Sequence, residues 1–490
     1  MRKSIIKIFA LLLVAGVAFV SCSKESSEIE SPSNGYKVSI PANKISSKAV
    51  ADGGTATFKT TENVYVCNTD NGNAIDATVL HPSADAASAN FEGTLVGDYE
   101  EGQTLKILFN TNDSGVADYS AQNGTLEGVV DAGVASVSIT DISGGTITTG
   151  KATIDNLQSI FKFTFKNGTT TLNVKSVTIS SAGNKLQTQY DVVNETATYS
   201  YLTVSNGTAQ STIYAALRFT STANDPITFL VTDENGVQYL GHKNAPSTGF
   251  AVGKLYTSTI IVTPIAFSVA SGTSVVFSPG NLVKTDNTYA VGSGNETYAF
   301  ESVPFNTNGG SLGYGGDAPS ATSARGYFTW SEIATASNTP RLFTIKGVSG
   351  WRTLTQSEWA YLLNSRSIGT GLYRYYKVKN ASGQAGLVIT PDNATTDDTN
   401  ALGLVAGSKA RQVDINACIA KGFVFLPGVG YYENSWSRAS SDYYCYYWTS
   451  TMSKTDGYGN HLFTSPNTTS ISYTGNIRVS DYLSVRLVHD

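Results

Sequence analysis

The stretch Ser159-Ile160-Phe161-Lys162-Phe163-Thr164-Phe165 puts a large apolar side chain at every second position from Phe161 onward. A backbone of period two sends alternate side chains to opposite faces. The segment therefore suits a half-buried strand and offers no single apolar stripe to a helix. Asn167-Gly168 follows, a dipeptide suited to tight hairpin turns, and Leu172-Asn173-Val174-Lys175-Ser176-Val177-Thr178-Ile179 resumes the alternation as the returning strand. Further strands are expected at Gln210–Phe219, Ile227–Thr232, Val237–Gly241 and Lys254–Val262. An earlier block repeats the pattern at Ala56–Thr60, Asn63–Asn68, Thr104–Phe109 and Ala135–Ile142, with turn chemistry such as Asp52-Gly53-Gly54 and Asn123-Gly124 between strands. Both blocks read as antiparallel sandwiches with one buried face per sheet.

Charged residues make up only 14% of the 490 positions, while Gly, Ser, Thr, Asn and Tyr are abundant. That balance belongs to secreted, turn-rich β domains. The amino terminus agrees. Arg2, Lys3 and Lys7 precede an apolar run from Ile8 to Val20, which has signal-peptide length and is short for a membrane span. It ends at Phe19-Val20-Ser21-Cys22. Removing residues 1–21 takes away three cations and no acid, moving the formal charge from −5 to −8. No basic stripe remains to neutralise phosphates, which argues against nucleic acid as a partner. Residues 23–35 are polar and tether-like, and Tyr36-Lys37-Val38-Ser39-Ile40-Pro41 reads as a short strand stopped by Pro41.

Phe19-Val20-Ser21-Cys22 resembles a bacterial lipobox, which implies lipidation of Cys22. The following Ser23-Lys24-Glu25-Ser26-Ser27-Glu28 is similar to the acidic signal that sends lipoproteins of Bacteroidota-type bacteria to the outer face of the outer membrane. Together with the early strand, the segment Ile45-Ser46-Ser47-Lys48-Ala49-Val50 and the opening Leu157-Gln158-Ser159-Ile160-Phe161-Lys162-Phe163, these motifs resemble the fimbrillin-like family of Bacteroidales over about residues 36–263. The resemblance implies two β-sandwich domains in a surface lipoprotein or pilus subunit. In pilus subunits, cleavage after a basic residue removes the first strand, and a strand from another subunit is added to the open edge. Lys48 is the matching position and Lys44 the runner-up; on the residues alone, Lys48 reads equally as an exposed loop lysine.

Near Thr263-Pro264-Ile265 the composition shifts. Of 27 Tyr, 10 lie before this point and 17 after it, and all five Trp follow residue 329. In Trp351-Arg352-Thr353-Leu354-Thr355-Gln356-Ser357-Glu358-Trp359, Thr355 and Glu358 have capping-box spacing. Trp359, Leu362 and Leu363 then share one helical face, predicting a helix over 355–366. A second helix is predicted at Asp414–Lys421, with Asp414 as N-cap and Gly422 as its stop. Phe423–Tyr431, Tyr446–Thr451 and Leu483–Val488 read as strands. The motifs Phe277-Ser278-Pro279-Gly280-Asn281-Leu282, Trp351-Arg352-Thr353-Leu354-Thr355, Phe425-Leu426-Pro427, Tyr447-Trp448-Thr449-Ser450 and Ser484-Val485-Arg486-Leu487-Val488 resemble surface domains of C-type-lectin-like fold, in the branch shared with formylglycine-generating-type proteins, over about residues 266–490. This implies a small α+β domain whose long middle loop presents a ligand surface.

The expected chain is therefore mostly β. A signal peptide spans 1–21 and a tether 22–35; fimbrillin-like sandwiches follow at 36–149 and 150–263, then a C-type-lectin-like domain at 264–490. Its expected role is a surface fimbrial (tip-type) subunit or adhesin, bound to the outer membrane by lipid and to other fimbrial subunits by strand addition, with a glycan or protein as ligand. The alternatives are a non-polymerising glycan-binding lipoprotein and an enzyme of the formylglycine-generating branch. No cysteine pair is spaced near Cys445 for that catalysis, so no enzyme is expected. Trp448 is followed by Thr449-Ser450 in place of the acidic and amide ligands of a calcium lectin. Exposed aromatic candidates for ligand contact are Tyr432, Trp436, Tyr444 and Tyr458. Trp351, Trp359 and Trp448 are assigned to the core, and Arg352 and Arg486 to structural hydrogen bonds. The one oxygen-rich loop, Pro391–Asn400, offers Asp392, Asn393, Asp397 and Asp398 to calcium, or is simply solvated. Once Cys22 is lipidated, Cys418–Cys445 is the one cysteine pair within a single expected domain. The four His are scattered and no CxxC occurs, so zinc is not expected.

Overall fold

The structure, a computed structural model, describes residues 35–44, 57–220, 223–284, 298–300, 326–335, 337–345, 348–407, 409–433, 444–453, 457–464, 471–475 and 477–490. It is mostly β, with short helices confined to its last third. Among the described residues the strands form a nine-stranded sheet, an eleven-stranded sheet and four smaller ones. None of the described helices is long and apolar enough to cross a membrane.

The first sheet is built around its leading strand, Tyr36–Lys44. This strand pairs antiparallel with Ser88–Leu95 on one side. On the other side it pairs parallel with Thr146–Ile147 through Lys37–Val38, and with Ala152–Ile154 through Ala42–Lys44. Pro41 does not stop it. The Lys44 N–H donates to the Ala87 carbonyl and the Lys37 N–H to Gly145, so odd-numbered residues face the parallel flank. Pro41, which has no N–H to offer, falls in the interval between the two parallel pairings, where no ladder bond is needed. Tyr36, Val38, Ile40 and Ala42 point inward and pack with Phe58, Phe91 and Phe109. Phe58 is buried although Thr57–Thr60 is no strand, contrary to the expected strand at Ala56–Thr60.

In the second sheet the alternation at Ser159–Asn167 buries Phe161, Phe163 and Phe165 as predicted. The expected hairpin partner is different. After the turn only Thr170–Thr171 pairs back. Val174–Ser181 crosses to Leu202–Gln210 and Pro226–Asp233, while Ser159–Asn167 lies between Ile213–Phe219 and Leu255–Pro264. Alternation determines which face is buried; it does not determine the neighbour.

The two large sheets interlock. Ala152–Asn156 pairs within the first sheet, past residue 149. Val116–Asp118 leaves the first block and pairs with Gln189–Asp191 of the second. Gln122 acts as a side-chain strand: its amide donates to the Ala216 carbonyl at 2.9 Å and accepts from the Ala216 N–H at 2.7 Å. Cys67, Leu108 and Tyr119 consequently share a core with Phe161, Phe163 and Phe165.

Among the described residues the last third contains four α-helices: α1 (Trp330–Ile333), α2 (Gln356–Ala360), α3 (Thr396–Ala401) and α4 (Ile415–Ala420). In α2 the capping box forms as predicted, the Thr355 N–H donating to Glu358 at 2.7 Å. The helix is shorter than 355–366 because it widens into a π-turn at Tyr361–Ser365. Trp359 and Trp448 are each 1% exposed and Trp351 is 9% exposed. Arg352 pairs with Glu358 and Asp490, and Arg486 donates to Asn281 and the Pro279 carbonyl. Gly422 ends α4 at φ 80, where a Cβ would lie 2.7 Å from Ile265 Cδ1. Ile265 belongs to a core that joins Leu230 and Leu240 of the second sheet to Phe267, Trp359 and Tyr447. The aromatic-rich third is therefore seated on the outer face of that sheet.

Candidate functional site

Three regions bear on function: the slot of the leading strand, an opening in the second sheet, and the surfaces of the last third.

Cys22 and Lys48 lie outside the described residues. Lys44, the second candidate for processing, is enclosed. Its ammonium sits 2.9 Å from Glu62 and 3.0 Å from Asp131, with the side chain 4% exposed. It also lies 4.6 Å above the Phe109 ring. A buried, doubly paired lysine at the end of a strand is a poor protease site. That burial argues against Lys44, because the partners that enclose it are remote in sequence.

In the second sheet, Gln238–Asn244 and Leu255–Pro264 pair only over Tyr239–Gly241 and Val262–Pro264. Beyond Gly241 they diverge, since Ile227–Thr228 holds His242–Lys243 and Ser159–Asn167 holds Leu255–Ile261. The gap opens a cavity of about 360 Å³ floored by Phe161, Phe219, Phe250 and Tyr256. Among the described residues a single side-chain bond spans it, from the Lys243 ammonium to the Ser258 hydroxyl at 2.6 Å.

The three aromatic candidates among the described residues do not converge. Tyr432 is 2% exposed, its ring edge-on to Tyr327 at 5.1 Å, and its backbone pairs with Tyr482. Its expected exposure is overturned because the Tyr431–Tyr432 pair alternates and the second ring takes the inner face. Tyr444 and Tyr458 are half-buried at opposite ends of the paired strands Cys445–Met452 and Tyr458–Thr464. Trp436 lies outside the described residues. Tyr444 instead belongs to a half-buried row: it stacks on Phe463 at 5.8 Å, Phe463 meets Tyr446 at 5.0 Å, and Tyr446 meets Tyr431 at 4.8 Å. The period-two spacing of Tyr444 and Tyr446 was the available signal; Phe463 joins them only through cross-strand pairing.

The acidic loop is not a calcium cage. Asp392 is paired with the fully buried Arg366 at 2.5 Å and accepts from the Ser268 N–H and hydroxyl. Asn393 donates to Thr263, and Asp397 is exposed. Asp398 is the N3 residue of α3, in a capping box with Thr395. Among the described residues no group of acids, His or Cys converges as a metal site. The carboxylates of Asp392 and Asp398 are each engaged by separate cations and caps.

Asp398 joins the last third to the second sheet. One oxygen lies 3.1 Å from the Thr228 hydroxyl and 3.4 Å from the Lys421 ammonium; the other lies 3.1 Å from His242 Nε2. Burial alone would raise this carboxyl, but the His242 hydrogen bond, the Lys421 charge and the Thr395 hydroxyl together hold it well below the usual carboxylate range.

Cys67, Cys418 and Cys445 are free and buried. Burial pushes the Cys418 and Cys445 thiols up to about 12 each, with the Asp414 charge adding to the effect at Cys418. Such thiols are protonated and poorly nucleophilic at neutral pH.

No family model matches the chain, and no curated protein matches it. Among solved structures, the chain is similar to a candidate cell adhesion protein from Bacteroides uniformis, 19% identical, covering 46% of this chain and 95% of that one at a TM-score of 0.30. A candidate cell adhesion protein from Bacteroides ovatus is 15% identical, covering 47% and 96% at a TM-score of 0.30. A fimbrial assembly protein from Parabacteroides distasonis is 10% identical, covering 46% and 90% at a TM-score of 0.28.

Proposed function

We propose that the chain is a surface-displayed fimbrial subunit or adhesin, lipidated at Cys22 and processed after Lys48, with its last third presented to a glycan or protein ligand. The observation that supports this reading most is the setting of Tyr36–Lys44. The strand buries alternate side chains between an antiparallel neighbour and two separate parallel ones. Its loss would leave apolar floor between open strand edges, which is the physical requirement for strand addition by another subunit. The gap beside Leu255–Pro264 offers a second pair of unladdered edges over aromatic floor. A tip-type position is proposed because the last third follows the strands that would otherwise be donors.

One observation favours the second reading, a lipoprotein that never polymerises. The Lys44 ion pairs fasten the leading strand to Glu62 and Asp131 and oppose its release. The buried, protonated thiols give the enzyme reading no support. The mass of the mature protein recovered from cells decides between the first two. A chain beginning at Ala49 is the expected result; one beginning at an acylated Cys22 replaces the fimbrial subunit with the plain lipoprotein.

A further inference from the structure

A cleft of about 240 Å³ separates the second sheet from α4, away from the aromatic row. One wall is the end of Val174–Ser181 together with the Tyr199–Tyr201 turn; the other is the end of α3, Asp414 and Lys421. Its walls are fixed. Lys421 reaches across to the Thr228 hydroxyl at 3.1 Å, and Asp398 binds Lys421, Thr228 and His242 behind it. A ligand entering this space meets a preorganised site and has little ordering to impose.

The chemistry of the lining is specific. Ser180 is 6% exposed, and its hydroxyl oxygen is buried with no hydrogen-bond partner. A turn about its Cα–Cβ bond would bring this unpartnered hydroxyl to the cleft, where it can meet a polar ligand atom. Asp414 caps α4 through one oxygen, which accepts the Ala417 N–H at 3.1 Å. Its other oxygen makes no hydrogen bond among the described residues. Tyr199, 39% exposed, is steadied by its hydroxyl contact with Thr220 at 3.0 Å, and Tyr201 is half-buried beside it. Among the described lining residues the one cation, Lys421, is already committed to Asp398 and Thr228.

We propose that this cleft binds a neutral saccharide of one or two rings. Ring hydroxyls can donate to the spare Asp414 oxygen and exchange hydrogen bonds with Ser180, while tyrosyl rings cover the apolar C–H face of a sugar. The volume falls below the roughly 300–1,000 Å³ of sites for drug-sized ligands, which limits the occupant to a short saccharide end. Among the described residues no uncommitted cation lines the cleft to receive a carboxylate, so sialylated and uronic sugars are disfavoured. The inference rests on the glycan branch of the proposed function and assigns it a place.

The test uses the full chain on an array of neutral and sialylated mono- to tetrasaccharides, followed by titration calorimetry with the saccharides retained. Neutral saccharides are expected to bind. Ser180→Ala should weaken them about fivefold, the worth of one hydrogen bond, while leaving the melting temperature unchanged or higher because an unpaired hydroxyl is gone. Asp414→Asn keeps a good N-cap and should weaken binding by a similar factor. Tyr201→Ala should weaken it about tenfold; if that variant fails to fold, the other two decide. The cleft is overturned if no saccharide binds, if only anionic ones bind, or if affinity is the same in all three variants. In the last case the saccharide sits elsewhere and the adhesin reading stands without the cleft. The mature amino terminus is unaffected by any of these outcomes.

Discussion

At the residue scale, Asp398 is the most consequential position outside the aromatic core, and its sequence context hides why. Within Thr395-Thr396-Asp397-Asp398 it reads as one acid in a polar loop. The spacing from Thr395 was a legible capping signal that the oxygen-rich composition obscured. Its partners Thr228 and His242 lie in another sheet and cannot be inferred from local pattern. Asp398→Asn should destabilise the protein by about 3 kcal/mol, because Lys421 is left buried without its counter-charge. The sign of the pH dependence follows from the carboxyl being held low in the folded state. Its contribution is full above the unfolded carboxylate range, near pH 4, and is lost as pH falls below that. Denaturant titrations between pH 7 and pH 3 should show the gap between the parent and the variant narrowing toward the acid end without closing, because the folded carboxyl is held well below that window. A gap as wide at pH 3 as at pH 7 would place the effect elsewhere.

At the element scale, α2 shows local and tertiary signals acting together. Thr355 and Glu358 specify where the helix begins, and Trp359 and Leu362 are inward as their spacing predicts. Where it ends was not legible. Arg366 turns back, donating to the Leu362 and Thr390 carbonyls and pairing with Asp392, and the chain widens into a π-turn to let it do so. A four-residue cap box does not stabilise so short a helix alone; packing does. Thr355→Ala should therefore cost about 1 kcal/mol, and Trp359→Ala about 3–5 kcal/mol, in urea unfolding followed by fluorescence of the remaining tryptophans. Equal costs would mean that the cap, not the core, holds the element. The strand Val174–Ser181 teaches the same lesson: its burial pattern was readable, while its place between Leu202–Gln210 and Pro226–Asp233, several strands away in the same sheet, was not.

At the scale of the whole molecule, the last third shares a core with the sheet beneath it through Leu230, Leu240 and Ile265. Leu240→Asp would put a charge into that shared core while leaving the cores of the first sheet and of the Trp351 region untouched. Calorimetry of the full chain should then show the last third melting separately and earlier. A single unshifted transition would mean that the shared core does not couple the parts. By itself the sequence determined a mostly β chain, two strand-rich blocks, an aromatic-rich end, two of its helices and the buried state of Trp351, Trp359 and Trp448. All of these follow from periodicity and local capping, which act over a few residues. Only the tertiary structure decided that Lys44 is enclosed, that Tyr432 is buried, that Asp392 and Asp398 serve ion pairs, and that a polar cleft lies between Ser180 and Asp414. Each of those depends on residues brought together from distant parts of the chain, and neither charge nor apolar spacing along one segment names its partner in another.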